Sequence, residues 1–522
     1  MLDLRGFEQT PPIKKLFASF SRKRRFVLCN FLLAKSQFIT YGVKMKVVLF
    51  GLNGSYSHTC LALRCLRAPL ERAGYDVVMC EYNLRDMNAT VLSRLVSEKA
   101  DVYSFSCYIW NIASMLDLAA DLKALLPNSK IVFGGPEASF ECERFESDFI
   151  DYIIRGEGEE AIVKLCDTIK NNEKTDRIID GGIPPVMNDE GILYCEGDFE
   201  SGTMLYYESS RGCPYRCAYC LSSISGKVRA KSVEQTLRDL REFETLDSKI
   251  KIIKFVDRTF NFDINRANAI WRALLRDEFT KNYHFEVCAN LLNEESFEIF
   301  EQMTKGKIQL EIGLQSTNND TLNAISRHLD AQKIISAASR IKSLGNIHVH
   351  LDLIAGLPYE DMQSFRTSFD EAYFACDMLQ LGFLKLLYGT ELRNRSDEYG
   401  YVASKKAPYT VLKSNWMSFE ELSLLTEIAD IMDRYREGGG FEMSLEYALS
   451  DVESPFDFYL GLRNFIAERD GRSIRKISQN DAYALLYQYI ALSYPEKEDD
   501  FSRLMHEDYA KKQVRKPPRF KR

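Results

Sequence analysis

No apolar run in this sequence of 522 residues is long enough to cross a bilayer as a helix. The nearest approach, Phe26 to Ala34 behind the basic run Arg22 to Arg25, falls far short of the roughly 20 residues required. The Lys35-Ser36-Gln37-Phe38 after it makes a poor small-residue cleavage site for export. No membrane partner is therefore expected. The net charge of −7 shows no excess of positive charge, so neither a nucleic-acid surface nor an anionic-membrane surface is expected overall. Thirteen cysteines are scattered without the spacing of a disulfide framework. In a chain of this size they imply a reducing compartment, and the expected location is cytoplasmic.

The length calls for two or three domains. Residues 1–44 form a basic leader without periodic apolar positions. Met45 stands directly before the first strand, so the leader reads as disordered or not part of the native protein. From Met45 to Gly182 short apolar runs alternate with amphipathic helices. The runs are Lys46 to Asn53, Tyr75 to Tyr82, Asp101 to Cys107, Lys130 to Gly134 and Asp151 to Ile154. Helices fall over Cys60 to Ala73, Thr90 to Lys99 and Ile112 to Leu126. Strict βα alternation predicts a doubly wound, flavodoxin-like parallel sheet with five strands and right-handed crossovers. Ligands bind such sheets at the carboxyl ends of the strands, so the candidate loops are Asn53 to His58, Ser104 to Trp110 and Gly134 to Glu137. A polar, glycine-punctuated link over 183–202 ends the domain.

Next comes the stretch Ser209-Ser210-Arg211-Gly212-Cys213-Pro214-Tyr215-Arg216-Cys217-Ala218-Tyr219-Cys220. Three cysteines at C-x3-C-x2-C on one loop can converge on a soft metal centre. Structural zinc wants a fourth ligand, yet the chain has no second C-x2-C pair and no histidine near this loop. A 4Fe–4S cluster with one iron left for a small molecule suits three ligands. The alternative is three loop cysteines that hold nothing.

A second βα series runs over 203–389, with strands at Met204 to Tyr207, Lys251 to Asp257, His284 to Asn290, Lys307 to Ser316, His348 to Ile354 and Met378 to Leu387. Six strands predict a partial (β/α)6 barrel, which keeps its polar chemistry at strand carboxyl ends. His348 and His350 alternate and so share one face, where packing or polar roles inside the barrel are expected rather than metal ligation. Over 390–522 the strand rhythm stops. Helices at Phe419 to Tyr435, from Pro455 toward Glu468, and at Gln479 to Tyr494 predict a small helical extension, with a solvated basic tail from Lys511.

The cysteine loop, with Tyr219 as its aromatic, resembles the signature of the radical S-adenosylmethionine enzymes. Phe255-Val256-Asp257-Arg258-Thr259-Phe260, Glu311 to Ser316 and Asp352 to Pro358 resemble that family's second-, fourth- and fifth-strand elements. The resemblance implies that Cys213, Cys217 and Cys220 hold a 4Fe–4S cluster whose fourth iron chelates S-adenosylmethionine. The reduced cluster of the family cleaves the sulfonium to a 5′-deoxyadenosyl radical. It also implies S-adenosylmethionine contacts from Tyr219, Asp257, Glu311, Gln315, Ser316, Ile354 and Gly356. The first domain, with Gly134-Gly135-Pro136 and Arg155-Gly156-Glu157-Gly158-Glu159, resembles the cobalamin-binding domain that precedes many such barrels. Ser55, Ser104, Ser106, Gly134, Gly135 and Pro136 are then the expected cobalamin contacts. The Asp-x-His-x-x-Gly loop that brings a histidine to cobalt is absent, so His58 reads as a cap or loop residue. The last part resembles an uncharacterised extension of some cobalamin-type radical proteins.

The resemblance as a whole implies a radical S-adenosylmethionine enzyme, with methyl transfer to an unreactive carbon or phosphorus centre as the leading expectation. Radical modification without methylation, by ring formation or methylthiolation, is the alternative. From another class comes a non-catalytic redox or cobalamin sensor. Expected partners are a small-molecule or peptide substrate and a flavodoxin- or ferredoxin-type electron donor.

Overall fold

The structure, a computed structural model, describes residues 44–512 apart from 185–186, 188–190, 196, 200–203, 225–226, 247–249, 470 and 472. The leader, save Lys44, lies outside the described residues, as do parts of the 183–202 link and the basic tail beyond Lys512.

The first sheet is wholly parallel. Its strands are β1 (Lys46–Asn53), β2 (Asp76–Asn83), β3 (Val102–Ser106), β4 (Lys130–Gly134), β5 (Tyr152–Arg155) and β6 (Ile178–Asp180), in the order β2-β1-β3-β4-β5-β6. Helices cover both faces, which is why Val47 to Phe50 and all of β3 are buried and read as continuous apolar runs. The sixth strand corrects the expectation of five. It pairs parallel to β5, Ile153 opposite Ile178 and Arg155 opposite Asp180. Three residues at a sheet edge leave too little periodicity to read.

The second sheet runs β7 (Leu205–Tyr207), β8 (Ile252–Phe255), β9 (Asn282–Val287), β10 (Ile308–Gln315), β11 (His348–Ala355) and β12 (Met378–Phe383), each parallel to and beside its predecessor. Strands β7 and β12 are its two ends in the pairing order, so the curl of the sheet stays open between them. Alternation sorts the side chains. Tyr283, Phe285 and Val287, Ile308 to Leu314 in steps of two, and Val349, Leu351 and Leu353 are buried in the apolar core beneath the helices. The intervening positions, among them His284, Glu286, Glu311, His350 and Asp352, take the other face and give the barrel a polar interior.

The first domain touches both sides of this opening. Near β7, Met204 N donates to Ser57 O at 2.8 Å, the His58 ring meets Tyr206 edge-on at 5.9 Å, and Arg211 pairs with Glu157 at 2.7 Å. Beyond β12, the Arg144 guanidinium lies over the Tyr388 ring at 3.9 Å and donates to Tyr409 Oη at 3.0 Å. Such a cation–π contact is worth ~0.5–2 kcal/mol. The first domain thereby lies across the barrel's open side.

Among the described residues five helices of eight residues or more come after the barrel: Phe419–Met432, Glu442–Leu449, Pro455–Arg469, Gln479–Ser493 and Glu498–Lys512. The sequence pattern foretells three of them. Their apolar faces join the barrel's own core through Leu422, Leu425, Phe456, Tyr459 and Leu486. Among the described residues no helix is long and apolar enough to cross a membrane.

Candidate functional site

The cysteine loop leaves β7 and is fixed from three directions. At its start Asp257, fully buried just past β8, accepts from Ser209 N at 2.8 Å and from Ser209 Oγ and Ser210 Oγ, each at 2.6 Å. Burial pushes the Asp257 carboxyl up, and these donors pull it back. At its middle Ala218 N donates to Ile325 O at 2.9 Å, and Leu392 N donates to Ala218 O at 3.0 Å. Cys217 is buried, while Cys213 and Cys220 are half-buried. All three line one cavity of about 180 Å³ at the carboxyl ends of the barrel strands, with Cys213 Sγ 3.4 Å from Thr259 Oγ1.

The three thiols line one cavity and supply three of the four ligands that a 4Fe–4S cluster takes, which leaves one iron for a small molecule. Among the described residues the one group of three ligand atoms lying within 4.8 Å of one another is elsewhere, at His284, Glu311 and His350.

Tyr219, Glu311 and Gln315 also line this cavity. Gln315 ends β10 at φ 73°, where the pairing with β11 slips, and its amide fills the space that a Cβ on Gly313 would need. Four other expected contacts are not among the lining residues. Asp257 is hydrogen-bonded to Ser209 and Ser210. Ser316 is fully buried and hydrogen-bonded to Glu360 and to Asn318 N. Ile354 falls on the same face of β11 as Asp352, one level past it, and does not line the cavity. A Cβ on Gly356 would meet Leu422, Leu384 and Val411 at 3.6–3.7 Å, and the Gly356 carbonyl accepts from Tyr401 Oη at 3.1 Å.

Arg327 is a cavity residue that sequence reasoning misses. Its guanidinium donates to Gly313 O and reaches Cys217 Sγ at 3.6 Å, and its buried Nε has no hydrogen-bond partner. A cation beside the thiols suits a carboxylate ligand. No local pattern marks this residue, because its role comes from the return of the chain to β10.

The floor of the cavity is ionisable. Glu311 Oε2 lies 2.9 Å from Lys254 Nζ and 3.0 Å from His284 Nε2. Burial works to raise the Glu311 carboxyl, but these two neighbours outweigh it and hold it at about 2. Burial lifts Asp352 to about 8, with Glu311 and Glu286 adding to the rise. Burial likewise takes His350 down to about 4, helped by His348 and His284. Near neutral pH the floor thus presents an ionised Glu311, a largely protonated Asp352 and a neutral His350.

At the first sheet, Ser104 and Ser106 are buried, Ser55 is half-buried and Pro136 is exposed. Gly134 is half-buried, and a Cβ there would meet Ile154 O at 3.7 Å, an ordinary contact. Gly135 has φ 98°, and a Cβ there would come within 2.7 Å of Cys107 O, so strand packing requires the glycine. Past the carboxyl ends of β1, β2 and β3 the most exposed large apolar side chains are Tyr56 at 64%, Met87 at 72% and Trp110 at 51%, with Leu84 beside them. Trp110 stacks on Tyr108 at 4.3 Å and donates from Nε1 to Leu52 O at 3.3 Å. This ledge, which no sequence motif announces, offers apolar surface at the sheet edge where a flat macrocycle can lie. His58 turns toward Tyr206, and burial, then the charge of Lys254, lower its pKa.

Comparison with known proteins finds three family models along the chain. Residues 48–166 match the family model of the B12 binding domain, and residues 207–372 that of the radical SAM superfamily. Residues 397–520 match a model described as a protein of unknown function, DUF4080. The hopanoid C-3 methylase of Methylococcus capsulatus is 27% identical over 320 residues, 56% of this chain and 60% of that protein. The cobalamin-dependent radical SAM methyltransferase TokK of Streptomyces tokunonensis is 26% identical over 310 residues, 51% of this chain and 44% of that protein. The chain thus spans about half the length of the curated relatives it matches. Among solved structures, the radical S-adenosylmethionine methyltransferase TsrM from Kitasatospora setae, with cobalamin and a [4Fe-4S] cluster bound, superposes with a TM-score of 0.58 at 16% identity. The match covers 82% of this chain and 99% of that one, and shows a shared fold.

Proposed function

We propose that this chain, a member of the radical S-adenosylmethionine superfamily with a B12-binding domain ahead of its barrel, is a cobalamin-dependent methyltransferase acting on an unreactive carbon or phosphorus centre. The observation that supports this reading most is the meeting of two sites on one barrel. Three thiols and Arg327 share the cavity at the strand ends, and the B12-binding domain lies across the same barrel's open side. When bound, the cluster supplies the electron that splits the sulfonium of S-adenosylmethionine, and cobalamin supplies a carrier for the methyl group.

Cys213, Cys217 and Cys220 would hold the cluster, with the loop kept rigid by Asp257, Ile325 and Leu392. Arg327 would neutralise the carboxylate of S-adenosylmethionine beside the thiols, Gln315 would hydrogen-bond its ribose, and Tyr219 would face its adenine. On the first domain Tyr56, Met87 and Trp110 would cover the apolar face of the corrin. Ser55, Ser104, Ser106, Gly134, Gly135 and Pro136 would shape the strand ends beneath it. His58, turned toward the barrel, would leave cobalt without an imidazole from the protein. The substrate, a small molecule or peptide, would enter between the two domains, and a flavodoxin- or ferredoxin-type protein in the cytoplasm would deliver the electron.

The test uses anaerobic, cluster-loaded protein with hydroxocobalamin, a strong reductant and S-adenosylmethionine carrying a deuterated methyl group. Deuterated methylcobalamin together with 5′-deoxyadenosine is the expected result. Formation of 5′-deoxyadenosine with no label ever reaching cobalamin would favour radical modification without methylation.

A further inference from the structure

Below the level of the thiols, three neighbouring strands bring His284 of β9, Glu311 of β10 and His350 of β11 together. Parallel pairing sets Glu311 opposite His350, and His284 comes from one level nearer the amino ends. One ligand atom from each lies within 4.8 Å of the other two. His284 is 8% exposed, and its Nε2 is fully buried. That nitrogen is 3.0 Å from Glu311 Oε2, yet it makes no hydrogen bond there because the orientation is wrong. An imidazole N–H that serves a carboxylate points along the bond. The His284 nitrogen does not, and a buried nitrogen without a hydrogen bond needs a partner. His350 makes ring contacts with His284 at 5.5 Å and with His348 at 4.7 Å, and no hydrogen bond among the described residues.

We propose that His284, Glu311 and His350 form a binding site for a divalent transition-metal ion, separate from the iron–sulfur cluster. Two imidazoles and a carboxylate favour zinc, iron(II) or cobalt(II) over magnesium or calcium. Strands hold the ligands more firmly than loops do. Lys254, 2.9 Å from Glu311, is the cation that balances the carboxylate when no metal is present, and an entering ion displaces its ammonium. Three protein ligands leave a coordination position open, and Glu311 faces the cavity, so an oxygen or nitrogen donor of the substrate can complete the shell. His348, half exposed and 3.8 Å from Asp377, lies outside the group. This site replaces the packing or polar role expected for His350. It does not depend on whether the enzyme transfers a methyl group.

The experiment titrates anaerobic, cluster-loaded full-length protein with zinc sulfate alone, desalts it, and measures zinc and iron per chain. One zinc beyond the cluster iron is expected. His284→Gln and His350→Ala should each weaken zinc binding by more than the ~10–100-fold typical of changes behind the ligands, with iron unchanged. Lys254→Met should leave zinc binding intact or tighter. The zinc X-ray absorption spectrum of the unaltered protein should show nitrogen and oxygen neighbours at about 2.0–2.1 Å, and this needs no variant to fold. Equal zinc in the unaltered protein and a His284→Ala/His350→Ala double variant would overturn the proposal. So would a sulfur shell at about 2.3 Å, which would put the zinc on cysteines.

Discussion

Replacing Asp257 separates two roles that its position in the sequence leaves open. In the structure its carboxylate is fully buried and accepts three hydrogen bonds, two from hydroxyls and one from a backbone N–H, at 2.6–2.8 Å. Arg266 completes the cluster by donating to Ser209 Oγ at 2.9 Å. Hydrogen bonds to a charged group are worth ~1.5–3 kcal/mol each, though not additively. Asp257→Ala strands three donors and leaves the Arg266 charge less compensated, a loss comparable with breaking a buried pair, ~3–5 kcal/mol. Asp257→Asn keeps the carbonyl oxygen for Ser209 N, and the two hydroxyls can rotate to accept from the new amide, so ~1–2 kcal/mol is expected. Anaerobic urea unfolding followed by circular dichroism gives the stabilities. Iron analysis and calorimetric titration of S-adenosylmethionine into the cluster-loaded fraction report on the site. Iron should fall along with stability, most in the alanine variant, because the loop carrying Cys213 loses its anchor. The molecules that keep a cluster should bind S-adenosylmethionine normally. If Asp257→Asn retains full stability and full iron but loses S-adenosylmethionine affinity tenfold, Asp257 is a direct contact and the anchoring role is refuted.

Five further outcomes are expected. Arg327→Met should retain cluster iron yet weaken S-adenosylmethionine by roughly 10- to 100-fold, the ~1.5–3 kcal/mol of a charge-assisted contact, as read by titration calorimetry. Gly135→Leu should destabilise the first domain itself, since its Cβ meets Cys107 O, and cobalamin binding should fall with the unfolding midpoint. Trp110→Ala should weaken hydroxocobalamin binding at unchanged stability, and His58→Ala should leave the spectrum of bound cobalamin unaltered. Glu360 is fully buried, and burial raises its carboxyl to about 8 despite hydrogen bonds to Ser316 and Ser368. Because the folded value lies above the unfolded one, its contribution is complete below about pH 4.5 and is lost as the pH climbs toward 8. There the slope of stability against pH approaches ~1.4 kcal/mol per unit, and Glu360→Gln should flatten it.

Strands buried on both faces announce themselves as apolar runs, so the bounds of β1 and β4 lie close to those expected from sequence, and the alternation of β11 marks its bounds as well. The edge strand β6 and the helix Glu442–Leu449, placed just after three glycines, are too short for a period to emerge. In Glu498–Lys512 the stripe Phe501, Met505 and Tyr509 is present at four-residue spacing but thin among charges. The cysteine loop is legible because its spacing is chemistry in itself. Motif likeness places Asp257 and Ser316 at strand ends without saying which way they turn. The strands end before both residues turn: Asp257 lies past the end of β8, and Ser316 follows the register slip at Gln315, so alternation does not reach them. Arg327 and the ledge of Tyr56, Met87 and Trp110 come from distant segments, and no local pattern could assemble them.

The central claim is that the cavity bounded by Cys213, Cys217 and Cys220 holds the cluster at which S-adenosylmethionine is cleaved. The most direct measurement is iron content and 5′-deoxyadenosine yield in anaerobic single Cys→Ala variants at these three positions, with Cys288 and Cys376 as controls. Cys288 is a demanding control, because it lines the same cavity and accepts from Tyr215 Oη at 3.0 Å. About four irons per chain and nucleoside formation are expected in the unaltered protein and both controls, with loss of iron or nucleoside in each of the three variants. Normal iron and normal 5′-deoxyadenosine in all three would contradict the account.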